Sequence, residues 1–125
     1  MKAKWGKCVC CKVTWARDLS KTLEGPWQWW RHNFIVMNCD DGTHFAAHFD
    51  NRGVSFPGAD RTYGFVDPKC QKARWSIDID KETAQRVKGT AYAIELRGVK
   101  YGWVHDCRWF AEQLYLVASQ GYICE

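Results

Sequence analysis

Apolar residues recur along this chain with two different periods. Lys7 to Trp15, KCVCCKVTW, is rich in cysteine and β-branched residues and reads as a strand. Residues 16–31 hold Gly25-Pro26 and the aromatic run Trp27, Trp29 and Trp30; they read as a connection, with a short helical turn near Leu19 to Leu23. His32 to Met37 is a second strand pattern. Asp41-Gly42 is a hairpin signal, and Thr43 to Asp50 is the returning strand. Its alternation puts His44, Ala46 and His48 on one face and Phe45, Ala47 and Phe49 on the other. Asn51-Arg52-Gly53 turns the chain again, into a short apolar piece at Val54 to Phe56. Residues 57–72 read as a long surface loop, a kind of segment that often carries function.

Arg74 to Ile79 is a further strand pattern. Asp80 then stands as N-cap to a helix over Lys81 to Leu96, in which Ala84, Val87, Ala91 and Ile94 form one face. Gly89 lies inside that helix and weakens it, and Gly98 marks its stop. The last helix runs from Cys107 to Ser119, with Phe110, Ala111, Leu114, Val117 and Ala118 as its buried stripe. No repeat or low-complexity linker divides the chain, so residues 1–125 are read as one domain. The predicted class is α+β, an antiparallel sheet with helices packed on it.

Composition narrows the function classes only a little. Hydrophobic residues make up 46% and charged residues 26%, ordinary values for a globular protein. Eight tryptophans point to aromatic clusters in the core, at a cleft or on a partner surface. A net charge of +4 permits nucleic acid, anionic lipid or cell-wall polymer and selects none. No basic run, zinc-finger spacing or RNA-recognition signature is present, so nucleic acid is not the expected partner. The segment WQWWRHN could stack bases, but reads better as core packing or as the rim of a cleft, with Trp30 a binding residue there.

MKAKWGKCVCCKV lacks the apolar core of a secretory signal, and no run approaches the length of a membrane span. The expectation is a soluble chain without a transmembrane segment, cytoplasmic or exported without a cleaved signal.

Seven cysteines, at 8, 10, 11, 39, 70, 107 and 124, cannot all pair within one chain. A nucleophile plus up to three disulfides fits the count; so do seven reduced thiols. Pairing Cys124 with an N-terminal cysteine would tether both ends to one sheet. C-x-C-C lacks the paired C-x-x-C spacing of structural zinc sites, so no metal and no cofactor are expected.

The stretch GWVHDCRWFAEQLYLV, residues 102–117, carries the candidate chemistry. If Asp106 caps the last helix, Cys107 is its first residue. Unsatisfied N–H groups and the positive dipole end then adjoin the sulfur and favour the thiolate, the nucleophilic form. The Cys107 N–H would offer one oxyanion donor. Against this stands plain core packing, because free cysteine is among the most buried residue types. His32 and His44 have a bland reading too, as hydrogen-bonded or solvated sheet residues.

The whole arrangement is more specific than its parts. HNFIVMNCDDGTH places two histidines twelve residues apart across a hairpin, and YGWVHDCRWFAEQLY places a cysteine at a helix start behind an aromatic and a short polar step. SIDIDKETAQRV supplies a strand and helix ahead of that cysteine. Over roughly residues 30 to 118 this resembles the circularly permuted papain-like fold of the NlpC superfamily. That superfamily includes the lecithin:retinol acyltransferase-like proteins, the PPPDE peptidases and many bacterial and phage hydrolases.

The resemblance implies Cys107 as nucleophile, His32 as general base and His44 as the third, orienting residue, with His48 its rival. Tyr101 would assist the oxyanion or, the more ordinary reading, serve as a packing aromatic, and His105 would line the cleft. Asp106 stands where the acyltransferase-like members usually carry Asn, and Trp109 where they often carry His; both departures weaken a lipid reading more than they weaken the fold. The implied function is a cysteine peptidase or amidase, of cell-wall, effector, toxin or phage type, acting on a peptide or acyl substrate. Two alternatives stay open. One is a thiol acyltransferase or phospholipase acting on lipid. The other is a non-catalytic binding or inhibitor protein of phage or pathogen origin on the same fold, with an immunity or host protein as partner.

Overall fold

The computed structural model describes residues 7–15, 32–58 and 75–120. These form five strands and two helices in the order β1 (Lys7–Trp15), β2 (His32–Cys39), β3 (His44–Asp50), β4 (Gly53–Ser55), β5 (Trp75–Asp80), α1 (Lys81–Leu96) and α2 (Cys107–Gln120). The strands make one sheet in the order β4-β3-β2-β1-β5, with neighbours antiparallel. The class is α+β, as the pattern predicts. The expected helical turn at residues 19–23, Trp30 and most of the long loop lie outside the described residues.

Local chemistry accounts for the boundaries. Asp41 and Gly42 close the β2–β3 hairpin, with Gly42 at φ 85°, where a side chain is disfavoured. The Asp41 carboxylate accepts from Thr43 N–H at 2.9 Å and pairs with Lys81, which ties the hairpin tip to the start of α1. Asp80 caps α1: its carboxylate accepts from Thr83 N–H at 2.7 Å. Gly98, at φ 63°, ends that helix and donates to the Glu95 carbonyl. The helix runs unbroken through Gly89 because that residue is exposed. Its cost of about 1 kcal/mol is outweighed by the burial of Val87, Ala91 and Ile94 on the opposite stripe.

Both helices pack on one face of the sheet. Cys10, Ile35, Met37, Phe45, Ala47, Phe49 and Ile79 supply that face, and Val87, Ile94, Phe110 and Leu114 come down on it. The other face carries a second buried cluster of Cys11, Val13, Phe34, Val36 and Ala46. Strand alternation divides β2 and β3 between the two clusters: odd positions face the helices and even positions face away.

The cysteines are divided in use. Cys8 and Cys39, directly opposite in the β1–β2 ladder, form a disulfide. Cys11 is disulfide-bonded too. Cys10 and Cys107 are the free thiols among the described residues, and both are buried.

Candidate functional site

The start of α2 is built from its own sequence. The Asp106 carboxylate accepts from Trp109 N–H at 2.9 Å, and the Asp106 carbonyl accepts from Phe110 N–H at 3.1 Å, the first helical bond. Cys107 is therefore the first residue of a capped helix, with its side chain turned inward and only 7% exposed.

Tyr101 reaches the same point. Its phenol stands against Cys107, close enough to interact with both the backbone and the sulfur. Burial, and after it the neighbouring sulfur, push the Tyr101 phenol above its ordinary value. Phe49 packs beneath, its ring 5.3 Å from that of Tyr101 and 5.5 Å from that of Phe110. His105 leans on Trp109, ring centroids 4.4 Å apart.

The histidines fall elsewhere. His44 opens β3 opposite Asn38, and its Nδ1 donates to Asn38 Oδ1 at 2.7 Å. Burial lowers its pKa. His48 stacks on Phe34 at 4.2 Å between centroids. Both stand at even positions of β3, on the face away from the helices, whereas Cys107 belongs to the helix side. The expected grouping of His44 with Cys107 is therefore not formed in the structure, and His48 does not replace it there. The cause is strand parity: one residue of shift exchanges faces.

His32 begins β2 opposite Trp15, and its side chain lies outside the described residues. Continuing the ladder from Ile35 opposite Ala47 puts position 33 level with Phe49 and position 32 level with Asp50. The first residues of β2 thus lie at the end of the sheet where α2 begins, although by the same parity position 32 belongs, with His44 and His48, to the face away from the helices. His44 is six residues along the hairpin from Asp50, about 20 Å at strand rise. His48 is two residues away.

Asn33 is a residue that sequence reasoning passed over. It is a buried polar side chain at an odd position, level with Phe49. A polar residue interrupting an apolar strand was the available signal. No metal-binding group of three His, Cys, Asp or Glu residues occurs among the described residues. Comparison of the chain with protein-family models, curated proteins and solved structures returns no match.

Proposed function

We propose that the chain is a cysteine hydrolase acting on amide bonds, on a permuted papain-like scaffold, with Cys107 as nucleophile. The observation that carries this reading is the free thiol of Cys107 as first residue of a capped helix, with the Tyr101 phenol against it. A thiol held at a helix N-terminus beside a phenol has two donors, its own backbone N–H and the phenol O–H, near one point where a carbonyl oxygen could bind.

In this reading His32, which has the parity of the face away from the helices and so must reach round the end of the sheet, takes the Cys107 proton as the sulfur attacks the carbonyl carbon. The carbonyl oxygen receives bonds from the Cys107 N–H and the Tyr101 hydroxyl. His32 then gives its proton to the leaving amine, and an acyl-enzyme remains. Water attacks the thioester, with His32 accepting its proton and returning one to the sulfur. Cys107, His32 and Tyr101 carry the chemistry, His105 and Trp109 border it, and His44 is left out.

The test is acyl-enzyme formation on an activated ester. With p-nitrophenyl acetate, the wild type should release a burst of p-nitrophenolate stoichiometric with protein and gain one acetyl group on Cys107 by peptide mass spectrometry. Cys107→Ala should show neither. A burst that survives Cys107→Ala removes the reading.

A non-catalytic binding protein is the second reading. The exposed Trp103 and Val104 beside the site favour it.

A further inference from the structure

The connection from α1 to α2 exposes apolar side chains where the fold has no need of them. Gly102 N–H donates to the His105 carbonyl at 2.9 Å and closes a tight turn with Trp103 and Val104 at its tip. Trp103 is 95% exposed and Val104 78%. Leu96, at the end of α1, is 84% exposed on the same connection. A rigid turn that lifts a tryptophan wholly into solvent forgoes the burial that a large aromatic side chain could contribute elsewhere.

The charged residues that flank the tip along the chain are mainly basic, with Glu95 and Asp106 the acidic ones. Arg97, Lys100 and Arg108 are all exposed. Asp106 is the single acidic residue between 97 and 108, and it is engaged as the helix cap and paired with Arg108 at 3.8 Å. The turn projects two apolar side chains into solvent between basic residues on either side of it in the chain.

We infer that the 102–105 turn docks the protein on an anionic lipid surface, with Trp103 and Val104 entering the headgroup region and Arg97, Lys100 and Arg108 meeting the lipid charges. Tryptophan prefers that interfacial layer, because its ring is apolar and its N–H still finds partners. Basic flanks add attraction confined to about a Debye length of the surface. A projecting tip suits a yielding interface; a protein partner would need a matching pocket. The turn leads directly into α2, so docking would hold the Cys107 end of the helix toward the membrane. This inference does not depend on Cys107 being a nucleophile.

Vesicle co-sedimentation of the full chain tests it. The wild type should pellet with phosphatidylcholine vesicles containing about 30% phosphatidylserine and not with pure phosphatidylcholine, and about 0.5 M salt should release it. Trp103→Ala and Lys100→Glu should each weaken binding about tenfold, Trp103→Phe should retain most of it, and Cys107→Ala should leave it unchanged, so loss of the hydrolase reading is separable. Circular dichroism checks that the variants are folded. Failure to bind anionic vesicles, or equal binding by wild type and Trp103→Ala, overturns the inference. Trp103-dependent self-association with no vesicle binding also overturns it, assigning the tip to a second copy of the chain.

Discussion

The Tyr101 phenol stands against Cys107 at the start of α2, beside both its backbone and its sulfur. A phenol in that place can accept from a helix N-terminus and donate to the thiol beside it. Tyr101→Phe keeps the packing against Phe49 and removes the hydroxyl. The expected loss is about 1 kcal/mol of stability by thermal unfolding. In the proposed mechanism the same change slows acylation of Cys107 about tenfold or more; unchanged acylation would leave Tyr101 a purely structural neighbour.

Asp106 should matter to the fold before it matters to chemistry. Removing its carboxylate in Asp106→Ala frees the Trp109 N–H and should cost about 1 kcal/mol, whereas Asp106→Asn should retain most of the stability. Thermal melts of the two variants provide the check. Equal loss in both would mean that charge, not capping, is what Asp106 contributes.

Stability should depend on pH in two separate windows. Hydrogen bonds and the Lys81 partner hold the Asp41 carboxyl well below its usual range, and bonds from Thr83 lower Asp80. Groups depressed in the folded state contribute stability above their unfolded pKa, about 4, and lose it as pH falls through the folded value. His44 is also lowered, by burial, so the unfolded chain binds its proton more readily. Its share of stability is complete above about pH 6.5 and declines as pH falls below it. Urea melts from pH 8 to pH 3 should show both steps, and His44→Gln should remove only the upper one. An unaltered upper step in that variant would assign it to another group.

The cysteines should sort by environment. Burial pushes the Cys10 thiol up to about 12, so Cys10 should resist alkylation until the protein unfolds. Cys8 and Cys39 should appear as a linked peptide pair without reduction. Reducing that bond, which spans 31 residues, should cost about 2–4 kcal/mol. Finding Cys8 or Cys39 as a free thiol in the native protein would contradict the pairing.

Much of the framework is legible in the sequence, because the signals that set it are local. Asp80 and Asp106 announce their helices as caps, the stripe from Ala84 to Ile94 announces α1, and Asp41-Gly42 announces the hairpin. What the helices would cover is not legible. β2 reads FIVM at its centre, apolar on both sides, and both sheet faces are buried, so alternation gives two faces without saying which receives α2. That ambiguity let His44 be grouped with Cys107. The register added to it: pairing Asn38 with His44 at the hairpin keeps His44 at the far end of the ladder from His32. The Cys8–Cys39 bond is likewise a product of strand register, which cysteine spacing does not encode. Tyr101 was singled out for the oxyanion, but its contact with the sulfur depends on the 102–105 turn that folds it back.

The central claim is that Cys107 is an activated nucleophile served by His32, and its alkylation by iodoacetamide tests this most directly. Peptide mass spectrometry at neutral pH would follow Cys107 in wild type, His32→Ala and His44→Ala. The proposed site predicts that Cys107 reacts at least about tenfold faster than Cys10, slows about tenfold or more without His32, and is indifferent to loss of His44. A Cys107 that is inert in the native protein, or that reacts equally with and without His32, would contradict it and leave the thiol as part of the core.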